Sequence, residues 1–299
     1  MSLPTTLPAS WYSSPELMRL ERRAVFLRAW FFLGTIQKFE AGSEWRYEIA
    51  QVPFVVRTQR PAESGEKIVK TFHETTGEEL LSHQTRTGLV FSTISADAPS
   101  FDEYFPGLEQ LLDRHDFTQR PHRRVLSYPG KYNWKTMMDG FQECLHCQFA
   151  HPGLSRLYPP TFYRVVNHPN WSQHFSNPDR DDDGLFLYFF PTTTLNMYNG
   201  GMSTFRVCPS SADPGVSRME YDYYHELTGE KFEDYYRFVR EVADEDHQLC
   251  EFTQSNLDKG IYSEGYLNPE KEVGVIHYQR QVFDMVAAQH LREKDQLVA

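Results

Sequence analysis

No apolar run in this chain is long enough to cross a bilayer. The longest, Leu185, Phe186, Leu187, Tyr188, Phe189 and Phe190, falls far short of the roughly 20 residues a spanning helix needs. Basic charge is scarce too: 30 Lys and Arg stand against 41 Asp and Glu, a formal net charge of −11. Such a chain lacks the concentrated cations that nucleic acid or an anionic membrane demands, so neither is expected as a main partner. No basic stretch followed by an apolar one opens the chain at Met1, Ser2, Leu3 and Pro4, so no secretory signal is legible. Cysteine is sparse, and four in 299 residues do not make a disulfide framework. These absences predict a reduced, intracellular protein, most simply cytoplasmic. Neither a GxGxxG nor a P-loop occurs, so no nucleotide cofactor is implied.

What is present is ordinary globular material with an aromatic excess. Apolar residues make up 40% and charged residues 24%, which predicts a packed fold in one large domain or two modest ones. The 22 Phe and 17 Tyr suit a core or the wall of an apolar pocket. Ser14 can cap a helix and Pro15 suits its first turn. With Leu17, Leu20, Ala24, Val25 and Leu27 on one stripe, the spacing predicts a helix over 14–34. Short β runs are expected at 31–36, 45–49, 52–57, 67–72 and 88–94, with a hairpin loop at 59–66 and a helical stretch over 99–112. A strand at 124–128 leads to a helix over 133–150. Strands follow at 162–167, 184–190, 193–198, 203–209 and 218–226, and long helices at 231–258 and 272–292. Antiparallel strands with helices before, between and after them make the fold class α+β.

The densest chemistry lies between Glu143 and His151. Two imidazoles five residues apart, His146 and His151, stand at the end of a helix just before Pro152 and can converge on one ion where the last turn loosens. As bare spacing, two unrelated helical histidines fit equally well. Glu143 shares the helical face of His146 and can orient its ring. In the long helix, Asp246 lies beside a side marked as buried by Val242, Leu249 and Phe252. An inward carboxylate needs a partner, and a cation shared with two histidines supplies one. Two His and one carboxylate leave positions open, the set suited to non-haem Fe(II) that binds O2 beside a substrate.

Cys144 and Cys147 have the spacing of a zinc knuckle or a redox dithiol but lack the setting of either, so packing is their expected role. Asp179, Asp181, Asp183 and Gly184 begin like a calcium loop. Phe190 stands where that loop's last ligand belongs, so a hairpin turn is expected, as at Asn199 and Gly200. His83, His247 and the remaining histidines default to surface or core positions. His247 points about 100° away from Asp246 around the helix.

These residues resemble a known family. Asn133-Trp134-Lys135, then Glu143-Cys144-Leu145-His146-Cys147 with His151-Pro152, look like the catalytic domain of Rieske non-haem iron oxygenases, in the branch of choline monooxygenase and the betaine and carnitine oxygenases. Glu245-Asp246 with Leu249-Cys250-Glu251 resembles the segment supplying that family's third iron ligand. Trp11, Tyr12, Pro15, Glu16 and Leu17, then Phe26 and Trp30, resemble its opening helix, and 189–198 and 272–282 resemble later parts. The resemblance implies Fe(2+) held by His146, His151 and Asp246 in a helix-grip (START-like) antiparallel sheet around a long helix. It also implies three parts: an N-terminal helical segment at 1–40 packing on the catalytic domain, a truncated Rieske-like β subdomain at 41–100, and a mononuclear iron catalytic domain at 101–299.

The family's Rieske [2Fe–2S] centre takes two Cys and two His as C-x-H and C-x-x-H; no C-x-x-H occurs in this sequence, and its C-x-H, Cys144-Leu145-His146, falls on the candidate iron histidine. Phe72-His73 resembles the strand before the first cluster loop, and Thr87-Gly88-Leu89-Val90-Phe91 the strand after the module. The loops between look cut out, so no [2Fe–2S] cluster is expected. In the complete family an electron reaches iron across a subunit boundary through an acidic residue matching Glu143, a relay this chain cannot run alone. Glu143 is then expected to anchor His146 or carry protons, or to keep an inherited structural hydrogen bond.

Two function classes follow. The favoured one is an oxygenase or oxidase, using O2 on a small organic substrate, with electrons from the substrate or from a separate reductase or Rieske partner. The other keeps the metal as a Lewis acid for lyase, cyclase, isomerase or hydrolase chemistry. A third, an inactive homologue, is opposed by retention of all three ligands. The substrate is expected to be a quaternary ammonium compound caged by aromatic faces, as in the resembled branch, or a small hydrophobic or aromatic metabolite. The family's ring-shaped trimer makes a homo-oligomer the expected assembly.

Overall fold

The computed structural model describes residues 3–39, 43–59, 67–176, 184–198 and 200–298. Most of the hairpin loop expected at 59–66, the acidic run Asp179 to Asp183, and Asn199 lie outside them. Ser14 Oγ accepts from the Leu17 N–H at 3.3 Å, and Pro15 opens a helix that ends at Ala24 rather than at 34. After one 3-10 turn, Phe26–Arg28, the chain extends into β1 (Trp30–Thr35), every residue of which is buried. Trp30, Phe31 and Phe32 fit a pleated, covered surface better than a helix, and tertiary packing overrides the helical stripe.

β2 (Glu44–Ile49), β3 (Val52–Gln59), β4 (Ile68–His73) and β5 (Glu79–Leu80) form a four-stranded antiparallel sheet in chain order. β6 (Ser82–Gln84) and β7 (Leu89–Thr93) join β1 in a three-stranded sheet ordered β1-β7-β6. The large sheet contains β8 (His122–Gly130), β9 (Arg164–Asn167), β10 (Trp171–Phe175), β11 (Leu185–Phe189), β12 (Thr193–Tyr198), β13 (Gly201–Pro209) and β14 (Ser217–Tyr224). Its order is β8-β14-β13-β12-β11-β10-β9, with every pair antiparallel. Six strands make a meander, and β8 closes on the last of them. The segment joining β8 to β9 must therefore pass from one edge of the sheet to the other.

The opposite face of the large sheet meets the small sheets. Phe32 and Phe189 have ring centroids 5.5 Å apart, and Arg206 Nη1 donates to the Phe32 carbonyl at 2.8 Å. With both faces covered, β13 is buried almost throughout instead of alternating. β10, Trp-Ser-Gln-His-Phe, is a strand too polar for the sequence to announce. Hydrogen bonds absorb part of its polarity, as where Ser172 Oγ donates to Asn167 Oδ1 at 2.8 Å, while His174 Nε2 stays unpartnered.

The Asn133-Trp134-Lys135 triplet is a cap and a clamp. Asn133 Oδ1 accepts from the Lys135 N–H at 3.0 Å and starts the helix Trp134–Phe141. Trp134 Nε1 and Lys135 Nζ both donate to the buried Glu21 carboxylate, at 3.0 and 2.7 Å, fastening the opening helix to this one. A long helix, Glu230–Asp258, seats its Tyr235 where a Cβ at Gly201 would come within 2.4 Å of the ring, so only glycine admits it. The last helix, Val273–Val298, meets the N-terminal region through Arg23–Glu293 at 2.6 Å and the ring contact of Trp11 with Phe283. Among the described residues, no helix is long and apolar enough to cross a membrane.

Lys38 and Asp222 form an ion pair of 2.7 Å with side chains only 3% and 8% exposed, and His122 Nε2 reaches the other Asp222 oxygen at 2.8 Å. Burial lifts the Asp222 carboxyl, but Lys38 and His122 outweigh it and hold it below the ordinary carboxylate range. Its stabilisation is therefore complete above the unfolded carboxylate value and is lost as pH falls through the lower folded one. Lys38→Met, which strands the buried carboxylate, is expected to cost about 3–5 kcal/mol in urea unfolding, and adding Asp222→Leu should recover part of that loss.

Candidate metal centre

The helix predicted over 133–150 breaks after Phe141. The chain turns and then makes one helical turn, Cys147–Ala150, with His146 at its N-cap and His151 at its C-cap. Pro152, which cannot donate a backbone hydrogen bond, opens the next short helix, Pro152–Leu157. One isolated turn between the two histidines folds them toward each other instead of leaving them on a continuous helical surface.

Their Nε2 atoms lie 3.1 Å apart, and Asp246 Oδ1 lies 3.0 Å from His151 Nε2 and 3.4 Å from His146 Nε2. Ligands about 2.1 Å from a metal stand roughly 3.0 Å apart when at right angles and about 3.4 Å apart when tetrahedral, so the spacings fit one shared ion. Each other ring nitrogen faces a carboxylate: His146 Nδ1 meets Glu143 Oε1, and His151 Nδ1 meets Glu245 Oε2 at 2.8 Å. A carboxylate accepts only a donor, so each Nδ1 carries the ring hydrogen and each Nε2 offers a lone pair. Three lone pairs facing one another require a positive occupant, and the nitrogen and oxygen donors suit a divalent transition metal.

The charges show the same demand. Burial pushes the His146 imidazole down, yet Asp246 and Glu143 raise it to about 10. Burial also lowers His151, and Asp246 with Glu245 raises it above its ordinary value. Burial lifts Asp246, but the two imidazoles draw it down to about 2. Without a metal, protons supply the positive charge; binding an ion expels them.

Asp246 faces inward between Ala243 and Cys250, and Val242 lines the cleft with it, but Leu249 and Phe252, also expected to mark that side, do not. The buried stripe of the long helix is Phe232, Tyr235, Val239, Ala243, Cys250, Gln254 and Leu257, whereas Leu249 and Phe252 are 39% and 66% exposed. Apolar character alone misassigned the face. Glu143 stands where expected, its Oε2 also accepting from the Leu145 N–H. Glu245, which mirrors it on His151, had no predicted role. Its only signal is adjacency to Asp246, since neighbouring helical positions usually diverge. His247 turns away to Tyr132 and Glu251, and His83 bonds Glu109 at 2.7 Å.

The cysteine expectation needs correction. Cys144 and Cys147 are joined in a disulfide, because the turn at His146 brings their Cα atoms to 5.0 Å; Cys208 and Cys250 are buried and free.

The cluster opens on a cleft of about 920 Å³, mouth included, between the large sheet and the helices. Phe141, Tyr158, Phe186, Tyr198, Phe205 and Tyr221 give it an aromatic wall. Such a chain has the outline of a mononuclear oxygenase catalytic subunit. More narrowly, it belongs to the oxidoreductase family described as "Ring hydroxylating alpha subunit (catalytic domain)", whose profile matches residues 117–176 and 168–288. It is 31% identical over 202 residues to the carnitine monooxygenase oxygenase subunit of Escherichia coli (strain K12), covering 60% of this chain and 51% of that protein. It is 22% identical over 194 residues to the glycine betaine monooxygenase oxygenase subunit of Chromohalobacter salexigens, covering 50% and 44%. The chain thus spans about half the length of the curated relatives it matches. In fold it is similar to a quaternary ammonium Rieske monooxygenase solved in complex with L-carnitine, with a TM-score of 0.80, 18% identity and coverage of 95% and 96%.

Asp246→Ala is expected to abolish metal retention, and Glu245→Gln to weaken it about 10–100-fold, measured as iron per chain after anaerobic dialysis against graded chelator. Unchanged iron in Asp246→Ala would remove that residue from the ligand set.

Proposed function

We propose that the chain is a mononuclear non-haem Fe(II) oxygenase or oxidase acting on a small organic metabolite in the aromatic cleft. The convergence of His146 Nε2, His151 Nε2 and Asp246 Oδ1 on the wall of that cleft carries this reading. Iron(II) bound there supplies open positions for O2 beside the substrate. Glu143 and Glu245 fix the tautomer and direction of the two imidazoles, and Glu143 can pass a proton to or from His146 Nδ1. The aromatic wall excludes water and offers ring faces to an apolar or cationic substrate. The names of the relatives, carnitine and glycine betaine monooxygenase oxygenase subunits, make quaternary ammonium compounds the first class to try. Electrons come from the substrate or from a separate reductase or Rieske partner, since this chain has no C-x-H and C-x-x-H pair.

On this reading the sheet under the long helix is a helix-grip core within a catalytic domain at 101–299. Residues 1–40 brace that domain, and 41–100 are what is left of a cluster module. A trimer, as in the family, is the assembly to test first. The missing cluster ligands favour a second reading, in which the same metal polarises a carbonyl or a water without redox change.

Oxygen-electrode traces of the iron-loaded protein, with chemical reductant and a panel of trimethylammonium compounds, decide between them. Substrate-dependent O2 uptake that falls at least about 100-fold in Asp246→Ala is expected. Product formed under strict anaerobiosis would sink the oxygenase reading and establish the Lewis-acid one.

A further inference from the structure

Among the described residues, three buried side-chain atoms without a hydrogen-bond partner belong to residues lining the cleft: His174 Nε2, Asn196 Oδ1 and Ser176 Oγ. All three are uncharged groups, and the sheet register organises two of them. His174 on β10 pairs across to Phe186 on β11, which pairs to Asn196 on β12. The two polar side chains thus flank the Phe186 ring on one row, about 10 Å apart.

His174 is only 2% exposed and its ring packs on Phe141, the last residue of the helix before the metal loop. Its Nδ1 is bonded to the Tyr163 hydroxyl. The same phenol reaches the Phe141 carbonyl at 3.4 Å, so Tyr163 ties down the Nδ1 side of the ring. Nε2 has no hydrogen-bond partner in either tautomer. Burial drives the imidazole down to about 3, so the ring is neutral at ordinary pH. Among the described residues no Lys or Arg lines the cleft, and the His146 and His151 imidazoles there are already paired with Glu143, Glu245 and Asp246. A carboxylate brought to His174 would be buried beside a neutral ring with no free counter-charge, whereas an uncharged amide, which both donates and accepts, would satisfy the orphan nitrogen at no such cost.

We propose that His174, held by Tyr163, is the specificity-determining residue of the cleft, whose unpartnered Nε2 selects ligands presenting an uncharged hydrogen-bonding group such as an amide over the corresponding carboxylates. This rests on the cleft being the substrate site and does not depend on O2 chemistry. It also separates this chain's preference from that of an enzyme for betaine-type acids.

Calorimetric titration of the iron-free protein with two isosteric pairs tests it: glycine betaine against its primary amide, and 3,3-dimethylbutanoate against 3,3-dimethylbutanamide. The second pair removes the cation and leaves only the handle. Each amide is expected to bind at least about 10-fold more tightly than its acid. In His174→Phe the preference should shrink to within about threefold through weaker amide binding, and His174→Gln, which keeps an N–H donor, should restore part of it. Circular dichroism of both variants confirms folding. Acids binding as tightly as amides, a full preference surviving in His174→Phe, or no binding of any probe at about 10 mM would each overturn the assignment. Iron retention and O2 uptake of the same protein after anaerobic reconstitution with Fe(II) separate the two readings. Amide preference without iron leaves His174's role standing and removes the oxygenase; iron and O2 uptake without preference do the reverse.

Discussion

Two imidazole nitrogens and a carboxylate oxygen held within 3.4 Å of one another repel unless something positive lies among them, and much of the surrounding chain exists to hold them so. The helix after Asn133 must break, because a continuous one would leave His146 and His151 on diverging faces. The long helix must bring Asp246 to the same point, which the glycine at 201 permits by letting Tyr235 settle on the sheet. Glu143 and Glu245 then fix which nitrogen of each ring is bare. The two rings and three carboxylates form one electrostatic unit: each ring lies between a carboxylate behind it and Asp246 in front.

The cleft beside that unit has two characters. Its walls are largely aromatic, while its unpaired buried side-chain atoms among the described residues, at His174, Asn196 and Ser176, belong to uncharged groups. Aromatic faces tolerate cations but offer an anion nothing, so the cleft distinguishes ligands by the charge of their handle as much as by size. The family match at 117–176 and 168–288 takes in the candidate metal loop, the long helix and the row of His174, Phe186 and Asn196 alike. That row includes β10, one of the least sequence-legible strands.

Chemistry was more legible than packing. The convergence of His146, His151 and Asp246 was readable because their types are rare and their order specific, and because an inward carboxylate demands a partner. Their local geometry was not: the break after Phe141 arises from tertiary seating, and the sequence from Asn133 to Ala150 is locally a good helix. Leu249 and Phe252 misled because apolar side chains need not face inward on a helix with a partly exposed far side. β1 was partly hidden inside an apparent helical stripe, and β10 was missed because its polar residues are buried by neighbours far along the chain. The Cys144–Cys147 bond depended on the same unforeseen turn. Glu245 was invisible for a simpler reason: it acts next to a residue already given a role.

The position of β8 beside β14 has a kinetic meaning. Strands β9 to β14 pair with sequence neighbours and can zip together as soon as each hairpin exists, but β8 waits for a partner about 90 residues downstream. Until that long loop closes, the stretch carrying His146 and His151 is tethered at one end only, and the helix bearing Asp246 has yet to be made. During synthesis the two histidines therefore leave the ribosome well before Asp246. Closing the sheet seats them and docking of the later helix adds the carboxylate, so the cluster is assembled by contacts far apart in the chain.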